Sequence, residues 1–157
     1  MPFFEWNDAY RTNIEEIDDQ HQQLFDLLNE LHEAMIRAHS GRMATPTVGE
    51  RDMPASALSE LGTIQMVLGE LLDYTVYHFA EEEQWMLVHG YPRYEPHKAA
   101  HEFFADKIRA FQRDFDEGRA VYAGDIVTFL AVWLERHILV ADRALGTFLA
   151  AKKRASA

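Results

Sequence analysis

Apolar residues return at alternating steps of three and four along four stretches of the chain, the spacing that lines side chains up on one face of an α-helix. In the first, roughly 17–39, the stripe is Ile17, His21, Leu24, Leu28, Leu31 and Met35. The second, roughly 57–89, carries Leu61, Ile64, Leu68, Leu71, Thr75, His78, Glu82 and Trp85. A third, roughly 93–116, presents His97, His101, Phe104, Ile108, Phe111 and Phe115. The fourth, roughly 122–151, includes Leu130, Trp133, His137, Ala141, Leu145 and Phe148. Between them, "SGRMATPTVGERDMPAS" at 40–56 is rich in loop-forming residues, and the "HGYPRY" and "DEGRAVYAGD" connections are short. Short connections favour antiparallel neighbours, so the pattern predicts an all-α, antiparallel up-down four-helix bundle. The aromatic stretch 1–16, with Phe3, Phe4, Trp6 and Tyr10, is expected as an irregular arm packed across it. The expected organisation is thus an arm (1–16), one helical domain (17–151) with a long 40–56 loop, and a basic tail (152–157), with no internal repeat.

Composition narrows the classes of function. The 157 residues are enough for one domain with a sizeable core, and 48% of them are hydrophobic. No apolar run approaches the roughly 18 residues of a membrane span, and the first twenty residues do not read as a signal peptide. Cysteine is absent, which excludes disulfides and thiolate ligands and fits a reducing cytoplasm. A net charge of −11 argues against nucleic acid and against anionic membrane surfaces as partners. The "KKR" at 152–154 reads as a solubilising tail.

What the stripes carry is less ordinary. In "YHFAEEEQWM" at 77–86, Glu82 falls on the apolar stripe, while Glu81 and Glu83 are rotated about 100° to either side and are expected to face solvent. A buried lone carboxylate is costly and needs a cation or a set of donors. His78 lies one turn earlier on the same face. His21, His97, His101 and His137 occupy the stripes of the other three segments. A single buried histidine is usually a satisfied core residue. Five imidazoles and a carboxylate on the inner faces of four helices are better satisfied by coordinating metal. Asp142 follows His137 by five, about 140° around an ideal helix. Spacing alone makes it a surface residue unless a π-bulge brings it onto the inner side.

Taken together, "IDDQH" at 17–21, "HFAEE" at 78–82, "YPRYEPHKAAH" at 91–101 and "WLERHILVAD" at 133–142 resemble the ligand-bearing segments of the hemerythrin family, in order and over nearly the whole chain. Trp6 resembles a recurring feature of the family's N-terminal arm. The resemblance implies a non-heme centre of two iron ions. His97, His101 and His137 would bind one, and His21 and His78 the other, which keeps an open position for O2. Glu82 and Asp142 would bridge the pair together with an oxo or hydroxo group. The family match, not the spacing, is what makes Asp142 a ligand. His32, His39 and His89 are expected to be structural or exposed.

Five neutral imidazoles and only two acids should disfavour high-valent iron, which favours binding dioxygen over cleaving it. Leu24, Phe79, Trp133, Leu134 and Ile138 lie within one turn of the ligand positions and are expected to line an apolar O2 pocket as well as serving the core. The resulting expectation is reversible dioxygen binding by an oxygen carrier, store or delivery protein, with an oxygen-consuming protein as a possible partner. An enzyme on the same site (peroxidase, oxidase or nitric-oxide handling) and an oxygen or iron sensor with a separate signalling partner are the alternatives. No acid or base stands out among the pocket residues, which tilts the reading towards binding.

Overall fold

The computed structural model describes residues 2–43, 55–118 and 123–156. A 3₁₀ turn, Asp8–Tyr10, lies in the arm. It is followed by helices α1 (Glu15–Met43), α2 (Ala55–His89), α3 (Tyr94–Asp116) and α4 (Ala123–His137). A π-helical segment, Ile138–Asp142, joins α4 to α5 (Arg143–Ala155) in one continuous rod. The three α-helices and this rod form an up-down antiparallel four-helix bundle, with no strand among the described residues.

Both ends of α1 run beyond the expected boundaries. It takes in Glu15 and Glu16, whose charge suits a helix N-terminus. Residues 40–43 of the expected loop continue α1, residues 55 and 56 begin α2, and 44–54 lie outside the described residues. The basic "KKR" is not a tail after the last helix. Lys152, Lys153 and Arg154 form the last turn of α5, where positive charge complements the helix dipole.

Gly90 ends α2 in the left-handed conformation, at φ 66°. The Tyr91 N–H donates to the Met86 carbonyl at 2.8 Å and the Gly90 N–H to that of Leu87 at 3.3 Å. This is a Schellman closure, and Tyr91 and Met86 both enter the core beside it. The tight turn sets α3 antiparallel to α2 and fixes the height of His97 against Glu82.

The core has two apolar parts. The larger contains Leu24, Leu28, Leu31, Leu68, Leu71, Phe104, Ile108, Leu130 and Leu134. The smaller is Ile17, Met86, Tyr91, Leu145 and Leu149. Helical register puts the polar residues of the four stripes between them: Ile17 and Leu24 flank His21 by one turn on either side, and Met86 follows Glu82 by one turn. Some stripe positions shift from expectation. Met86 rather than Trp85 is buried at the end of α2, because the side chain that fills the Schellman corner must sit under Tyr91. In the last rod the π segment adds one residue, so Asp142 rather than Ala141 and Leu149 rather than Phe148 are buried, while Leu145 stays in the core as expected.

The arm lies along α1. The Phe4 N–H donates to Asn29 Oδ1 and Asn29 Nδ2 donates to the Phe4 carbonyl, both at 2.7 Å. Tyr10 reaches across to Glu135 Oε1 at 3.0 Å. These ties seat the Trp6 indole beside Phe25 and the His21 ring.

Candidate metal centre

Each helical rod delivers its polar side chains to one level of the bundle. α1 contributes His21; α2 contributes His78 and Glu82, four residues apart on one face; α3 contributes His97 and His101 with the same spacing. His137 closes α4, and the five-residue π turn that follows brings Asp142 back to the inner side. Asp142 is fully buried, as Glu82 is. All seven expected side chains therefore meet, including the one that spacing alone placed on the surface.

Their atoms fall into two overlapping groups, each with its ligand atoms within 4.8 Å of one another. Glu82, His97, His101, His137 and Asp142 make one; His21, His78, Glu82 and Asp142 make the other. The members common to both are the two carboxylates. His137 Nε2 and His97 Nε2 lie 3.0 and 3.1 Å from Asp142 Oδ1, while His21 Nε2 is 2.9 Å from Oδ2 of the same carboxylate. His78 Nε2 and His101 Nε2 are each 3.1 Å from Glu82, on its Oε1 and Oε2 respectively.

These approaches are not a hydrogen-bonded core. Both nitrogens of His21, Nε2 of His78 and His97, and all four oxygens of Glu82 and Asp142 are buried without a hydrogen-bond partner. Buried polar atoms are rarely left so, since each costs about 1–3 kcal/mol when unpaired. His101 Nδ1 donates to Glu83 Oε1 at 3.0 Å, and a carboxylate only accepts. In the neutral ring Nε2 then carries the lone pair, and it faces His137 Nε2 at 3.2 Å. A cation between the two nitrogens resolves that approach. A donor set of imidazoles and carboxylates suits first-row divalent metals, so the residues present fit a metal pair.

Charge follows the same geometry. Burial opposes protonation of His21 and His97, but Asp142 and Glu82 outweigh it and raise both pKa values from 6.5 to about 9. His101 is raised as well, against burial, by Glu82 and Glu83. Glu82 is held well below the carboxylate range despite full burial, by His78, His101 and His21. For Asp142, burial and the nearby Glu82 oppose ionisation, and His137 and His21 overcome them.

Two residues outside the expected set orient the ring donors. Gln20 Oε1 meets His78 Nδ1 at 2.7 Å. Glu83, expected to face solvent, instead turns its carboxylate onto His101. A 100° rotation off the stripe leaves it at the α2–α3 boundary, within reach of a side chain on the next helix. A polar residue adjacent to a ligand position, Gln20 before His21 and Glu83 after Glu82, was the signal available in the sequence. His32 stacks on Phe3 at the arm, while His39 and His89 are exposed; all three lie away from the cluster.

Aromatic and aliphatic side chains enclose the centre. Phe79 stacks on the His101 ring with centroids 3.8 Å apart, and Trp133 on that of His137 at 4.7 Å. Leu24, Phe79, Leu134 and Ile138 are buried, and Trp133 is half-buried against Phe104.

Comparison with known proteins agrees with this arrangement. Residues 12–149 match the family model described as the hemerythrin HHE cation binding domain. The chain is 33% identical over 152 residues to bacteriohemerythrin of Methylococcus capsulatus, covering 96% of this chain and 100% of that protein. It is 31% identical over 144 residues to bacteriohemerythrin of Stenotrophomonas maltophilia, covering 92% and 80%. A crystal structure of wild-type hemerythrin superposes with a TM-score of 0.73 at 30% identity, covering 94% of this chain and 98% of that one. On the family match across most of its length and on relatives of this similarity, the chain belongs to the hemerythrin family.

Proposed function

We propose that the protein binds dioxygen reversibly at a non-heme di-iron centre and acts as a cytoplasmic oxygen carrier or store. The observation that carries this reading is the pair of overlapping donor groups that share Glu82 and Asp142. His97, His101 and His137 would hold one iron, His21 and His78 the other, with Glu82 and Asp142 spanning both. The second group has one imidazole fewer, which would leave it an open position for a small ligand. When bound, the ferrous pair supplies two electrons to dioxygen and recovers them on release.

The chain's own residues define the rest. Glu83 and Gln20 fix the rings of His101 and His78 so that Nε2 faces the centre. The carboxylates offset the charge of two divalent ions without surrounding them with anions. Leu24, Phe79, Leu134 and Ile138 keep bulk water from the ligand, which slows irreversible oxidation.

Reconstitution with ferrous salt under anaerobic conditions tests this directly. Two irons per chain and a visible spectrum that cycles between air and argon are expected. One metal per chain, or a spectrum that does not reverse, overturns the reading. Stopped-flow mixing with dioxygen and then with peroxide separates a carrier from an enzyme, since an enzyme would turn over repeatedly.

A further inference from the structure

We propose that the Thr75 hydroxyl donates a hydrogen bond to the small ligand taken up at the metal centre, so that Thr75 is a ligand-binding residue and not only a core residue. The inference rests on the di-iron reading above.

In the antiparallel bundle α1 and α3 run one way, α2 and α4 the other. One turn from the donors, towards the same end of the bundle, stand Leu24 after His21, Thr75 before His78, Phe104 after His101 and Leu134 before His137. All four are buried and form one layer over the centre. Three of them are hydrocarbon. Thr75 shares the inner face of α2 with His78 and Glu82, and it is 0% exposed.

Its Oγ1 is buried with no hydrogen-bond partner. That is unusual for a helical threonine, whose hydroxyl ordinarily bonds the carbonyl four residues earlier. Valine would fill the same volume without an unpaired polar atom, so packing gives no reason for a hydroxyl here. Among the described residues, the other buried side-chain polar atoms without a hydrogen-bond partner all belong to the two donor groups of the centre. A ligand with an acceptor atom, held on the side of the centre that has one imidazole fewer, would use the one free donor in the layer above it. Oxygen chemistry has such atoms; a hydrocarbon layer alone cannot recognise them.

Wild type, Thr75→Val and Thr75→Ser are reconstituted with ferrous iron, and iron is counted in each. Azide, a small linear anion, is then titrated into the oxidised proteins by visible absorbance, and dioxygen release is timed from the reduced ones. Iron content should not change. Thr75→Val should weaken azide binding and speed dioxygen release by about threefold to tenfold, the value of one hydrogen bond, and Thr75→Ser should restore both. The infrared azide stretch should shift in D2O for wild type and Thr75→Ser, and not for Thr75→Val. Metal-free Thr75→Val should melt no lower than wild type, because no native hydrogen bond is lost. Equal azide affinity and equal isotope shifts in all three proteins overturn the inference while the di-iron centre stands. Fewer than two irons in the wild-type chain overturn both.

Discussion

Glu83 and Gln20 show how much of the candidate metal centre lies one residue outside its converging donors. Each holds the outer nitrogen of a ring whose inner nitrogen faces the centre. Replacing Glu83 by leucine should release metal about 10–100-fold more readily in chelator competition, and glutamine should recover most of the loss because it still accepts from His101. Gln20→Leu should do the same for the group that contains His78. The residues proposed to line the pocket are expected to behave differently. Leu134→Ala or Ile138→Ala should leave two irons bound, lower stability by about 2–5 kcal/mol for the leucine, and speed autoxidation of the oxygenated protein by admitting water. Unchanged autoxidation in both variants would remove the pocket from the account.

At the level of elements, the arm and the last rod support each other. Gly146 of α5 is buried, and a methyl group there would meet the Thr12 carbonyl oxygen and lie 2.9 Å from Thr12 Cβ. Thr12 is not free to yield. Its N–H and hydroxyl both donate to Asp18 Oδ1 at 2.8 Å. Gly→Ala in a helix ordinarily stabilises by about 0.5–1 kcal/mol. Here a contact with fixed backbone reverses the sign, and Gly146→Ala should cost about 1–3 kcal/mol in a denaturant titration. Displacement of the arm should also change the emission of Trp6, seated beside His21. The π segment is the other element-level device. Measured from His137, Asp142 and Leu149 stand at +5 and +12, one more at each point than the +4 and +11 of an α stripe through Ala141 and Phe148. The extra residue is absorbed in five positions, and Val140, opposite the core, is 71% exposed.

For the whole molecule, the buried charges make the metal-free bundle sensitive to pH. His21 and His97 have pKa values raised from 6.5 to about 9 on folding. Their contribution is complete below pH 6.5 and is lost as pH rises through about 9. Glu82 and Asp142 are lowered, so theirs is present above their ordinary values of 4.5 and 3.8 and lost only as pH falls through the depressed ones. The melting temperature of the chelator-treated protein should therefore fall between pH 6.5 and 9. Metal requires the same imidazoles deprotonated, so loading at pH 7 should release protons, and affinity should rise with pH across that range. A pH indicator in weak buffer measures the release. An apo protein whose melting temperature is flat from pH 6.5 to 9 would contradict the assignment of these charges. No helix among the described residues is long and apolar enough to cross a membrane.

The four amphipathic stripes were legible in the sequence because a helix repeats every 3.6 residues and burial selects one face, so the bundle and six of the seven converging side chains could be read from periodicity alone. His21, His78, Glu82, His97, His101 and His137 all sit where a straight helix would put them. Asp142 does not, and the sequence identifies it only through the resemblance, because a π turn leaves no periodic trace. Glu83 and Gln20 lie off the stripes, and their partners are on other helices. Whether an off-stripe side chain meets solvent or a neighbouring ring depends on helix separation and relative height, which are set by packing and by the Gly90 closure rather than by any local pattern. Thr75 was legible as a stripe position; that its hydroxyl lacks a partner is a property of four helices at once, and only the tertiary structure could decide it.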